Sequence, residues 1–375
     1  MADTHSEIEA NINQVLQSTA YAPKSLRQLS GGTANFIYHA VLQTPLPECP
    51  NGVVIKQGEA YVATNPNFPL ATSRCAVEQQ CLALLAPLAP ISTASSFIRT
   101  PAVYHFDRDT NTLVQEYLVN AVSLKTYSLK YFAAPTPESL KPQCQQLGYG
   151  LGAWLRSFDD WSQQPGQAAL REKLAENKEM QALKNMINYK QLVQMADRHP
   201  TILGDIKSDL QNISNMAAAE LEDEAALHVI HGDFWTGKEP RSVLLPDEAI
   251  EEGGQTPVRI IDWELAQLGV RPLDLGQMVA ELWQLKLYKD IDAGEWLIQA
   301  FGHGYGGLGA QDAFRAIIHV GVHLICFGSQ TPGWGTPTQS LQLVETGKEV
   351  LLKAWVKDRE FFKGHVLEAL FSPEN

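Results

Sequence analysis

Basic residues are in short supply: 29 Lys and Arg stand against 42 Asp and Glu among 375 residues, a formal net charge of -13. Such a chain has no positive field to attract a phosphate backbone, so nucleic acid and anionic membrane surfaces are not expected partners. Any anionic ligand has to be held by a local site. No Cys-x-x-Cys pair occurs, and the five cysteines, Cys49, Cys75, Cys81, Cys144 and Cys326, are scattered and odd in number. That argues for reduced thiols over a disulfide framework and points to the cytosol. Long apolar runs are missing as well. The best stretch, FRAIIHVGVHLICFG, is interrupted by Arg315, His319 and His323 and falls short of the roughly 18 apolar residues of a spanning helix. The amino terminus, MADTHSEIEANINQVLQ, is acidic and polar where a signal peptide has a basic start and an apolar run. A cytoplasmic protein without a membrane partner is therefore expected. Internal repeats and low-complexity tracts are absent, which removes solenoid and disordered readings.

What is present is ordinary for a folded enzyme-sized chain: 45% hydrophobic and 19% charged residues, enough for one large or two modest domains. Residues 24 to 57 alternate in short strand-like runs, KSLRQLS, NFIYHAVLQ and GVVIKQ, split by Gly31-Gly32 and by a Pro-rich stretch. From Arg74 the period becomes helical, with Val77, Cys81, Leu84 and Leu85 on one stripe and Pro87 as the stop. Strand-like PAVYHF and TLVQEYL follow, and after about residue 119 the chain reads mainly as helices. Within that second part SVLL and VRIID form a predicted hairpin around the acidic loop PDEAIEEGGQTP. The expected class is α+β: residues 1–118 as a small antiparallel-sheet domain with one long helix, and residues 119–375 as a larger helical domain.

Several side chains stand where chemistry would need them. Lys56 ends the apolar run Val53-Val54-Ile55, so a strand would carry its ammonium beside buried neighbours. A solvated strand-end lysine is the bland alternative. Glu78 falls inside the apolar arc of the predicted helix, a costly place for a carboxylate without a cation. A strand lysine and a helix glutamate, each on an apolar face, are what a nucleotide site uses to aim an ammonium at the α and β phosphates, although a structural salt bridge would look the same. The turn SGGTAN, residues 30 to 35, joins two strands, so it is neither a Walker loop nor a dinucleotide fingerprint. Asp233 follows LHVI-His231-Gly232, and Asp262 follows the apolar RII. Two carboxylates at the ends of neighbouring short strands could share a cleft, one orienting a hydroxyl and one holding magnesium on nucleotide phosphates. Turn chemistry is the alternative for each.

Taken in order, these segments resemble the aminoglycoside phosphotransferase and choline kinase superfamily. LSGGTANFIYHAVL is similar to its nucleotide loop, VVIK to its phosphate lysine, RCAVEQQCL to its paired glutamate, LVQEYL to its hinge, HGDFWTG to its catalytic loop and IIDWELAQLGVRPLDLGQ to its metal loop. The wording leans toward methylthioribose-kinase-like and fungal-type members. The resemblance implies a protein-kinase-like two-lobed fold and transfer of phosphate from ATP, with Mg2+, to a hydroxyl of a small molecule. It implies Gly31, Gly32 and Asn35 over the nucleotide, Lys56 on the α and β phosphates, Glu78 orienting Lys56, main-chain groups near Gln115 and Tyr117 on adenine, Asp233 facing the acceptor and Asp262 on the metal. Asp274 would brace the catalytic loop. The sequence departs from the family at one point: the metal-binding Asn before the strand SVLL is missing. By strand register KEPR is an insertion and Ser242 is the expected ligand, a weaker donor for a hard cation; by spacing from Asp233, Lys238 takes the place. The departure leaves a second expectation open, a catalytically impaired nucleotide-binding protein acting as a scaffold or regulator.

Other features carry less. His319 and His323 have i, i+4 metal spacing, but no Glu follows His319 and no third ligand is evident. They are expected to pack or to line a substrate pocket. GHGYGGLG after WLIQAF lacks a Lys-Ser/Thr ending and reads as a helix stop. Trp283 and Trp334 are expected in the core, with an acceptor pocket, including a cation-binding one, as the alternative. The acceptor and the oligomeric state are not legible.

Overall fold

A computed structural model describes residues 2–29, 32–237, 242–251 and 253–373. Gly31 and the stretch 238–241, which includes Lys238, lie outside the described residues.

The amino-terminal region is built on a five-stranded antiparallel sheet in the spatial order Pro23–Gln28, Phe36–Leu42, Val53–Gln57, Thr112–Glu116, Val103–Asp107. Side chains along a strand alternate between faces. Val53 and Ile55 therefore point one way, into an apolar cluster closed by Ile8, Ile12 and Leu16 of the helix Ala2–Leu16. Those three residues recur at i, i+4 and i+8 and form a single narrow stripe. Val54 and Lys56 point the other way, and register pairs Lys56 with Ile37 on one side and Leu113 on the other. Helix Ser73–Leu85 carries the expected stripe and buries Glu78 with Val77, Cys81, Leu82 and Leu85.

Helices dominate the rest of the chain, as expected from the sequence, with two small sheets set among them. His228–Ile230 pairs antiparallel with Gln267–Gly269, which brings the ends of the HGD and IDWE segments side by side. The predicted hairpin forms between Val243–Pro246 and Thr256–Ile260. It joins Ala121–Ser123 on one side and, in parallel, Ser96–Arg99 on the other. Long helices Lys141–Ser162 and Ala293–Tyr305 pack at close range because glycines remove the side chains between them. A Cβ on Gly148 would stand 2.6 Å from the Leu297 carbonyl oxygen, and one on Gly152 would stand 2.0 Å from that of Phe301. Trp154 and Phe158 stack at 5.7 Å between ring centres and meet Trp263 and Phe234 in one aromatic block beneath the site.

GHGYGGLG ends helix Ala293–Tyr305 with Gly306 in the left-handed conformation, as the sequence predicts. All five cysteines are buried and free. Among the described residues no helix is long and apolar enough to cross a membrane.

Candidate active site

Lys56 lies at the centre of a chain of charges. Its Nζ is 2.6 Å from Glu78 Oε1 and 2.8 Å from Asp262 Oδ1, with Lys56 4% and Glu78 2% exposed. Burial works against the ammonium, but Asp262 and Glu78 together outweigh it and hold the Lys56 pKa above its usual value. Burial raises Glu78 despite its bond to Lys56, because Asp262 competes for the same cation. Glu264 is pushed up to about 7, chiefly by burial and then by Asp262, even though Arg74 bonds it at 3.2 Å. One ammonium and one guanidinium thus serve three carboxylates, and the cluster has room for further positive charge. Asp262 adopts φ 71°, ψ 56°, a left-handed backbone that costs a non-glycine residue on the order of 1–3 kcal/mol. The adjacent Trp263 anchors that turn, fully buried with its Nε1 donating to the Ile260 carbonyl at 3.1 Å.

The HGD loop is held by its backbone. Asp274, at the start of helix Pro272–Lys289, accepts the His231 N–H at 2.7 Å and the Gly232 N–H at 3.0 Å, the bracing role that the resemblance implies. Gly232 has φ +78°, and a Cβ there would meet the Leu265 carbonyl oxygen at 2.3 Å, so only glycine fits. His231 Nε2 lies 2.9 Å from the Ile261 carbonyl oxygen, tying this loop to the one that carries Asp262. The Asp233 carboxylate is then oriented by Gln277, whose Nε2 donates to Oδ1 at 2.8 Å, with Lys184 Nζ 3.9 Å away. Burial lowers the Lys184 pKa against the pull of Asp233 and Asp274.

Two cavities meet at Asp262, which lines both. One, of about 400 Å³, runs along the sheet past Val54, Lys56, Gln115, Tyr117 and Val122. The other, of about 230 Å³, lies between Gly32, Asp233, Gln277, Lys184 and His323. The structure therefore gathers Lys56, Glu78, Asp262 and Asp233 around one junction and sets Gln115 and Tyr117 along the first cavity. Asn35 lines the second cavity, buried, with Nδ2 donating to Glu264 Oε2 at 2.9 Å and Oδ1 accepting from Arg74 Nη2 at 2.9 Å. Ser242 is fully buried at φ 48°, lines neither cavity, and donates its hydroxyl to the Asp233 carbonyl oxygen, so it clasps the two ends of the HGD loop. Among the described residues no group of three or more His, Cys, Asp or Glu is placed to hold a metal by itself. A divalent ion at Asp262 would need phosphate oxygens to complete its shell, which is how Mg2+ is commonly bound.

Sequence reasoning missed a second buried constellation. Glu281 of helix Pro272–Lys289 receives Lys125 Nζ at 3.0 Å, the Thr236 hydroxyl at 3.2 Å and Gln284 Nε2 at 2.9 Å, and lies 2.7 Å from His323 Nε2. Burial alone would raise Glu281, but Lys125 and His323 overcome it and hold the carboxyl well below its ordinary range. Lys125 in turn sits 3.8 Å over the Trp334 ring. The available signal was a charge inside each of the apolar runs VSLKTY and MVAELWQL, the same signal that exposed Glu78. His319 bonds the Tyr189 hydroxyl at 2.8 Å and His323 bonds Glu281, so neither faces a shared metal. Trp283 and Trp334 are both buried.

No protein-family model matches the chain. It is 28% identical to "Phosphotransferase FrzJ" of Cladobotryum sp, a match covering 97% of this chain and 96% of that protein. It is 22% identical to "4-hydroxytryptamine kinase" of Psilocybe cyanescens, covering 89% and 88%. Among solved structures, choline kinase from Cryptosporidium parvum Iowa II superposes with a TM-score of 0.52 at 11% identity, covering 96% of this chain and 98% of that one. The chain is thus similar over nearly its whole length to two fungal small-molecule phosphotransferases and has the fold of the choline kinase structure.

Proposed function

We propose that the chain is a kinase that moves the γ-phosphoryl group of ATP onto a hydroxyl of a small molecule. The observation that carries this reading is the junction itself: Lys56 bonded to Asp262 at 2.8 Å, with Asp262 and Asp233 lining one cavity and Lys56 and Asp262 the next. In this reading residues 1–118 form the nucleotide lobe and 119–375 the catalytic lobe. The larger cavity takes the nucleotide, with adenine beside main-chain groups near Gln115 and Tyr117 and Lys56 on the α and β phosphates, while Gly32 lines the smaller cavity and Gly31 lies outside the described residues. Glu78 holds Lys56 in line. Asp262 would carry the Mg2+, which when bound neutralises charge on the β and γ oxygens.

The acceptor hydroxyl oxygen attacks the γ phosphorus, the bond from that phosphorus to the β,γ-bridging oxygen breaks, and ADP leaves with the electron pair. The hydroxyl proton passes to Asp233, whose carboxylate Gln277 holds in place. Hydroxylated amines are sensible first acceptors, given the name of the 22%-identical relative. The test is magnesium-dependent ADP release over a panel of hydroxyindoles, amino alcohols and aminoglycosides. Turnover abolished by Asp233→Asn supports the kinase.

A second reading, a nucleotide-binding scaffold, rests on Ser242, whose hydroxyl is turned to the Asp233 carbonyl and away from both cavities. Nucleotide binding without turnover on any acceptor would favour it.

A further inference from the structure

The smaller cavity has a composition that narrows what can enter it. Its volume of about 230 Å³ lies below the roughly 300–1,000 Å³ of pockets that enclose drug-sized ligands, so a molecule of one or two fused rings fits where an oligosaccharide does not. Much of its wall is apolar or aromatic, with Phe68, Met180, Leu183, Ile187, Trp235 and Phe327 among the lining side chains. The charged groups on the wall already have partners: Arg74 bonds Glu264, Asp233 has Gln277 and Lys184, and Asp262 has Lys56. The excess of carboxylate over cation lies at the Asp262 edge, where the metal would sit, and not along the apolar wall.

His323 brings an uncommitted polar atom to that wall. His323 lines the cavity and is 1% exposed, and its Nδ1 has no hydrogen-bond partner among the described residues. Buried polar atoms are normally paired, and an orphan beside a cavity asks for a partner from the ligand. The chemistry of that partner follows from the other edge of the ring. Nε2 lies 2.7 Å from Glu281 Oε1, and Glu281 is the carboxylate that Lys125 bonds at 3.0 Å. A carboxylate can only accept, so Nε2 carries the proton and donates it. In the neutral ring Nδ1 then presents a lone pair. The ring is clamped in plane by Phe327, stacked at 5.0 Å, and edged by Trp235 at 6.0 Å, which keeps the lone pair in a fixed direction.

We propose that this cavity receives a flat, mostly apolar hydroxy compound of one or two fused rings, and that His323 Nδ1 accepts a hydrogen bond from a second donor, an N–H or O–H, carried on that compound apart from the reacting hydroxyl. The proposal rests on the kinase reading for the words "reacting hydroxyl", but ligand capture is a property of the cavity alone. His323 is in this sense a specificity residue that touches the acceptor. Glu281 and Lys125 act through it by setting its tautomer.

The test is calorimetric binding, with a non-hydrolysable ATP analogue and Mg2+ present, of hydroxyindoles and dihydroxybenzenes against counterparts methylated at the second donor, with choline and kanamycin alongside. The full-length protein should bind the donor-bearing ring compounds at least 10-fold more tightly than their methylated partners, and more tightly than choline or kanamycin. In His323→Asn the amide oxygen stands near the place of Nδ1, so the preference should persist. In His323→Gln, where the amide reaches the place of Nε2, the preference should fall to within about 2-fold while nucleotide binding is unchanged. Equal binding of methylated and unmethylated compounds, preferential binding of choline or kanamycin, or no binding of any ring compound would each overturn the proposal. Turnover is measured separately on the same panel. Ring compounds that bind selectively without being phosphorylated would sink the kinase reading and leave the cavity assignment standing. Turnover confined to choline or kanamycin would do the reverse.

Discussion

Gln277 Nε2 donates to Asp233 Oδ1 across 2.8 Å, from the helix that begins next to Asp274 to the loop that Asp274 braces. A single rigid helix, Pro272–Lys289, therefore sets both the backbone and the carboxylate of Asp233. Asp233→Asn is expected to lower turnover by about 10²–10⁴-fold, the usual share of a general base, with nucleotide affinity unchanged. Gln277→Leu keeps the carboxylate but frees its rotation, and should lower kcat by about 10-fold to 100-fold at constant nucleotide affinity. Steady-state kinetics with a nucleotide titration separate the two; a Gln277→Leu enzyme with wild-type kcat would show that the hydrogen bond positions nothing.

Lys56→Met removes the cation shared by Glu78 and Asp262. Breaking a buried pair from one side commonly costs about 3–5 kcal/mol. The lower end is expected here, because Glu78 is already raised and can take up a proton. Urea unfolding should register that loss, and nucleotide affinity should fall about 100-fold. Unchanged affinity would take Lys56 out of the nucleotide site.

Asp159, buried beneath the helices and bonded by the Tyr305 hydroxyl at 2.5 Å, has its pKa raised to about 8, first by burial. The unfolded chain ionises this group near the ordinary Asp value of about 3.9. Between those values the folded state binds the extra proton, so this carboxyl favours folding at low pH and its contribution falls as pH rises, levelling off above about 8. Asp159→Asn should remove up to about 1.4 kcal/mol per pH unit of that slope between pH 5 and 8. Urea midpoints of the two proteins across that range check it, and parallel curves would refute it.

Gly152→Ala places a Cβ 2.0 Å from the Phe301 carbonyl oxygen, between two long helices that cannot separate locally. Overpacking of this kind costs about 1–3 kcal/mol. Gly166→Ala, which meets nothing within 4 Å, is the matched control and should be neutral or slightly stabilising. Equal urea midpoints for the two variants would contradict the close helix contact.

Much of the site was legible because its residues break a local pattern. Glu78 interrupts an apolar helical stripe, Lys56 an apolar strand, and Asp233 and Asp262 end short apolar runs; each violation is visible within about ten residues. Glu281 and Lys125 break their patterns in the same way, yet they were passed over because no neighbouring motif drew attention to them. The helix Ala2–Leu16 was missed for the opposite reason: its apolar stripe is only Ile8, Ile12 and Leu16 in a polar segment, too thin to register as periodicity. The resemblance implies Asn35 over the nucleotide; what only the structure shows is that its amide bonds Glu264 and Arg74, a pairing 229 residues long on one arm that no local pattern encodes. Ser242 reads from strand register as a metal ligand, whereas the tertiary loop turns its hydroxyl to Asp233.

By itself the sequence determined the elements and their faces, since periods of 2 and about 3.6 residues are decided by the nearest side chains. It also determined which charges would be expensive to bury. Only the tertiary structure decided which of those charges meet. Lys56 finds Asp262 across 206 residues and Lys125 finds Glu281 across 156, and such closures depend on how the whole core packs. The same packing leaves His323 Nδ1 without a partner among the described residues beside an apolar hollow, a juxtaposition that no segment of the chain contains until distant helices and loops are brought together.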